Sequence, residues 1–137
     1  MNDVESLIST PISVGELFDK ISVLVVKRKK IESEEKLKHI AKEYDLLYPL
    51  CYKYIEKKQE LKEALDKLIL INENLWDILE AQRQMEKAKE LGEPFVTASI
   101  SVYRVNDERF RLKQLINDLT NSAIKEQKYY TGKWATS

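Results

Sequence analysis

From Leu50 to Leu91 the chain runs for about 40 residues without a glycine or proline. Within it, Leu61, Leu65, Leu68, Asn72, Leu75 and Leu79 fall on alternating steps of four and three, the spacing of one helix face. A helix of that length would be about 60 Å long at 1.5 Å per residue. The first helix, at about 18 residues, would reach less than half of that. The long helix must therefore bend, protrude or cover its seam with a second copy, and a homodimer or a folded-back helix is the expectation. One asparagine in such a seam, Asn72, is of the kind that sets pairing register at a cost in stability. Trp76 reads as core.

Composition points the same way. Only three glycines and three prolines occur in 137 residues, and 34% of the chain is charged. That pattern suits helices with salt-bridged outer faces. The 23 basic and 23 acidic residues leave no surplus of positive charge, which argues against a nucleic-acid binder. A single cysteine, Cys51, cannot form an internal disulfide. The start has no secretory pattern, and the aliphatic run Val23 to Val26 is far too short to cross a bilayer. The reading is a cytoplasmic protein without membrane contact.

The expected organisation is one helical domain over residues 1–137, with a lead at 1–12 and a tail at 123–137. Ser13-Val14-Gly15-Glu16 has the form of a capping box, which starts the first helix near Val14. Its seam is Val14, Leu17, Ile21, Leu24, Arg28 and Ile31. A β-strand over the β-branched stretch 21–26 is the competing reading, and the cap and flanking periodicity disfavour it. Ser33-Glu34-Glu35 starts a second helix, which Pro49 should break or kink. Leu91-Gly92-Glu93-Pro94 ends the third, and the last spans about Phe95 to Asn121. The aromatic tail through Trp134 should lie on the bundle. The fold class is thus all-α, a bundle of about four helices with one long, broken or protruding helix.

The last helix carries a polar interruption. Ala98, Val102, Val105, Arg109, Leu112, Ile116 and Leu119 form a seam that is apolar except for Arg109, whose guanidinium needs an anionic partner if desolvated. Beside it Tyr103, Asn106, Phe110, Lys113 and Asn117 mix rings and polar heads. On the first helix Glu16, Asp19 and Lys20 share a side with Val23 and Val26, so that side is partly buried and its charges need partners. Arg109 and Lys113 are the natural ones. Two functions follow. Glu16, Asp19, Lys20, Asn106, Arg109 and Lys113 could line a cleft for an anionic, phosphorylated or carboxylated small molecule. Alternatively they form a structural network in a helical interaction or assembly protein.

Other chemistry is poorly supplied. Glu16-x-x-Asp19 with Asp107-Glu108 suggests magnesium, but helical enzymes that carry substrate phosphates on magnesium need denser acidic motifs. The one histidine, His39, lies on a lysine-rich helix and reads as surface. No metal or cofactor is expected from these residues, and they leave open whether the cleft is catalytic and which reaction it would carry. Lys27-Arg28-Lys29-Lys30 is placed to favour a helix C-terminus.

Three segments, Pro11 to Lys20, Asn74-Leu75-Trp76-Asp77, and Val102-Tyr103 with Asn106-Asp107-Glu108-Arg109 and Lys113, resemble an uncharacterised family of small helical bacterial and phage proteins, a domain of unknown function. Glu126-Gln127-Lys128-Tyr129 extends the resemblance nearly to the end. Val25 stands where the family has a glutamate. The resemblance implies a glycan-related setting, because members sometimes lie near sugar-transferase genes, and it assigns no reaction.

Overall fold

A computed structural model describes residues 5–129, in which four helices and no strand occur. They are α1 (Val14–Lys30), α2 (Glu34–Ile55), α3 (Gln59–Lys87) and α4 (Glu93–Thr120). The stretch 21–26 is helical. It lies inside α1, which packs on α2, α3 and α4 alike. An apolar residue on almost any side of α1 therefore finds a partner, and the β-branched residues are absorbed by burial rather than by sheet pairing. Phe18 and Ile21 are fully buried, with Leu17 and Leu24 close to it. Leu17, Phe18 and Ile21 meet Cys51 of α2, Leu61, Leu65 and Leu68 of α3, and Ile116 of α4 in one core.

Helix starts follow local chemistry. The Ser13 and Ser33 side chains accept from the amides of Glu16 and Lys36 and cap α1 and α2. The capping box of α1 is only half made, because the Glu16 carboxylate pairs with Lys113 instead. The four basic residues at the end of α1 occupy its last turn, where Lys29 and Lys30 reach Glu73 and Asp77 of α3. His39 is exposed, as expected for a surface residue.

Two boundaries differ from expectation. Pro49 does not end α2, which continues through it to Ile55. Both Pro49 and Asp45, whose carbonyl loses its helical donor, are exposed, so water can solvate the freed oxygen. The break falls instead at Glu56 to Lys58. Lys58 takes up an extended conformation there, and its ammonium donates to the Leu119 carbonyl at 2.8 Å. The uninterrupted helix from Leu50 to Leu91 is therefore absent: α3 has 29 residues, nearly matching the 28 of α4.

Burial along this pair is uneven. In α3 no residue beyond Leu75 is buried, and in α4 none before Val105. That level is where α1 ends, so the distal parts of α3 and α4 contact each other past the bundle, for example through Gln82 and Ser99. The protruding helix is real, and its seam is covered by α1 and α4 up to Leu75. Trp76 is half-buried rather than core. The lead from Glu5 to Ile12 is non-helical and exposed. Asn121, in a left-handed conformation, closes α4 and turns the chain back. Tyr130 to Trp134, expected on the bundle, and Met1 to Val4 lie outside the described residues.

At the bottom of the bundle α1 and α4 approach closely. A Cβ on Gly15 would collide with the Lys113 carbonyl oxygen and crowd the Asn117 oxygen. The obstacle is helix backbone, which cannot step aside cheaply. Gly15→Ala should therefore cost about 1–3 kcal/mol in denaturant unfolding. Gly92, around which a Cβ finds open space, should change by less than about 1 kcal/mol on the same substitution. Equal effects at the two positions would refute the close approach.

Candidate functional site

Asp19 is the centre of the site. It lies in mid-α1 and is 3% exposed, so its carboxylate must be compensated by protein groups. Arg109 of α4 supplies two donors, Nε to Oδ1 at 2.7 Å and an Nη to Oδ2 at 2.5 Å, a bidentate pair. Asn72 of α3 adds its amide, which donates to Asp19 Oδ1 at 3.2 Å and to the Ser22 hydroxyl at 2.7 Å. Ser22 in turn donates to the Asp19 carbonyl at 2.6 Å. Both hydrogens of the Asn72 amide are used, and three helices meet at one carboxylate. The hydrogen bonds that Arg109 donates to Asp19 raise its pKa further, against the opposing effect of burial.

One turn away Lys113, 8% exposed, is held between two carboxylates: Glu16 at 2.9 Å and Glu126 of the tail at 2.6 Å. Burial is the largest single influence on its ammonium and acts to lower the pKa. The bonds to Glu126 and Glu16, with the fields of Glu16 and Asp19, together outweigh it and raise the pKa. Further along, Lys128 pairs with Asp107 at 3.6 Å and lies 4.9 Å from the centre of the Phe110 ring.

Below the charges, α4 and the tail cap α1. Asn117 accepts from the Gly15 amide at 2.7 Å, and the Ser122 hydroxyl from the Val14 amide at 3.1 Å. With Ser13 on Glu16, three first-turn amides of α1 are satisfied by side chains, so this helix end is closed to an outside anion. Asn117 Nδ2, though buried, has no acceptor among the described residues.

Two hollows flank the Asp19–Arg109 pair. The larger, about 350 Å³, is bordered by Glu16, Asp19, Asn106, Arg109, Phe110, Lys113, Glu126 and Lys128. The smaller, about 220 Å³, is bordered on its charged side by Glu16, Asp19, Lys20, Lys27, Glu43 and Arg109. All six residues singled out in the sequence therefore border one hollow or both. Lys20 is exposed and has no carboxylate partner among the described residues. Arg109 and Lys113 are paired with carboxylates of the protein itself, Arg109 with Asp19 and Lys113 with Glu16 and Glu126. Among the described residues no group of three His, Cys, Asp or Glu side chains is placed to hold a metal. Val25 is half-buried and borders neither hollow.

Ser22, Asn117, Ser122, Glu126 and Lys128 were not singled out as site residues. Asn117 stands four residues beyond Lys113 on the mixed face, which was a usable signal. Glu126 and Lys128 lie in a non-helical segment, where no periodicity orients them.

The fold and site define a four-helix protein whose central helix is clamped to the last by a buried charged cluster opening on two hollows. Over residues 8–137 the chain matches, and belongs to, a family of unknown function, DUF6165. No curated protein and no solved structure matches it.

The folded Lys113 pKa is raised, so its contribution to stability is complete below the unfolded lysine value of about 10.4 and disappears as pH climbs through the folded value. The stability difference between the parent and Lys113→Met should stay constant from about pH 7 to 9 and shrink above about 10.4. A gap that stays constant beyond that point would contradict the raised value.

Proposed function

We propose that the chain binds a small anionic molecule, carboxylated or phosphorylated, in the larger hollow between α1, α4 and the tail. The observation that carries this reading is the state of Arg109. Asp19 fixes one edge of the guanidinium with two of its five N–H donors, and the same side chain borders both hollows. A guanidinium held rigid on one side, with donors left over on the other, is pre-organised for an incoming oxyanion. A volume of about 350 Å³ suits a small molecule, and Phe110 offers an apolar wall beside the charges.

A second reading has its own support. Arg109 and Lys113 are already neutralised within the protein, as a network that only fixes helix register requires. In that case the chain is a helical interaction or assembly protein. We also propose self-association as a homodimer, supported by exposed Val96, Ile100 and Tyr103 on the protruding part of α4. The proposed setting is the cytoplasm of a bacterium or phage-infected cell, in a glycan-related pathway. It is supported by the family resemblance of the Pro11–Lys20, Asn74–Asp77 and Asn106–Arg109 segments and, for the compartment, by the free Cys51 thiol.

A thermal-shift screen of dicarboxylates, sugar phosphates and nucleotides at fixed ionic strength separates the two functions. The ligand reading expects one class to stabilise by about 2.7 kcal/mol at a hundredfold excess over its Kd. No specific shift from any anion would leave the structural reading in its place.

A further inference from the structure

The tail contributes a carboxylate to the very cation that a ligand would seek. Beyond Thr120 the chain reverses at Asn121 and is pinned by Ser122, whose hydroxyl accepts from Val14 and donates to the Ile124 carbonyl. It then runs back along α4, with Lys125 on Asp118, Glu126 on Lys113 and Lys128 on Asp107. Each contact lies nearer the start of α4 than the one before. From 123 to 129 every residue except Glu126 is exposed. Charge pairing, not apolar burial, thus accounts for most of the docking, and the pairs of Lys125 and Lys128 are exposed enough to be weak, while that of Glu126 reaches the buried Lys113.

We propose that residues 123–129 form a displaceable strap, and that Glu126 stands on Lys113 in the place a ligand carboxylate takes. This rests on the ligand reading above. A carboxylate fits this place because Lys113 already accommodates two, from Glu16 and Glu126, and a ligand carboxylate in place of Glu126 leaves the charge facing Lys113 unchanged. Glu126 Oε1 is screened from solvent, so departure without a replacement would leave Lys113 with Glu16 alone in a poorly hydrated position. A carboxylate entering the hollow supplies the replacement, while Ser122 keeps the base of the strap anchored to α1.

The test titrates the full chain and Glu126→Gln with glutarate by calorimetry at fixed ionic strength, and follows hydrogen exchange of residues 123–129. Glutarate should bind the variant about two- to fivefold more tightly, the competing ion pair having been weakened. In the parent, the strap amides should exchange faster once glutarate is bound, while those of α1 and α4 do not. Unchanged or weaker binding by Glu126→Gln, or slower exchange of the strap, would overturn the displacement and make the tail part of the bound site. Failure of glutarate, inorganic phosphate and a sugar phosphate to bind either protein would overturn the ligand reading itself, and the strap with it.

Discussion

The structure depends on the need to neutralise one buried carboxylate. Asp19 sits on the helix that the other three surround, and at 3% exposure it cannot rely on water. Arg109 answers from α4 and Asn72 from α3, so the demand of one side chain fixes the relative height and rotation of three helices. The bare backbone at Gly15 permits the close contact below it, and Asn117 and Ser122 use that contact to cap the first turn of α1. The hollows follow from the same arrangement. Long charged side chains that meet end to end do not interdigitate as branched apolar ones do, and they leave space beside their heads.

This arrangement explains why one set of residues supports both a structural and a ligand-binding reading. Replacing a buried ion pair by apolar residues is often neutral or stabilising, so stability alone does not require Asp19 and Arg109. A network serving register alone could have closed upon itself. Here Arg109 is clamped along one edge and open along the other, and Lys113 is shared between a helix carboxylate and one carried by the tail. The helix dipole is not available for anion binding because its amides are capped. Any oxyanion would therefore be held by guanidinium and ammonium groups.

Much of this was legible in the sequence because helices declare their faces by spacing. Arg109 stood out as the one charge in an apolar seam, and the partly apolar face carrying Glu16 and Asp19 pointed to partners on the last helix. Asn72 stood out for the same reason, although its partners proved to be Asp19 and Ser22. Pro49 misled because a proline penalty is local, and exposure of the affected carbonyl relieves it. The true break carried a quieter signal, the polar run Glu56-Lys57-Lys58-Gln59-Glu60, with no apolar residue to hold a helix against the core. Glu126 was out of reach, since its position depends on how a non-helical segment folds back on α4.

The central claim is that Asp19 and Arg109 form an energetically coupled pair joining α1 to α4. A double-mutant cycle with Asp19→Asn, Arg109→Gln and the combined variant, read by denaturant unfolding at neutral pH, tests it most directly. The account predicts that the two single losses exceed the combined loss by about 2–3 kcal/mol, since removing either partner strands the other. Losses that add to within about 0.5 kcal/mol would contradict it.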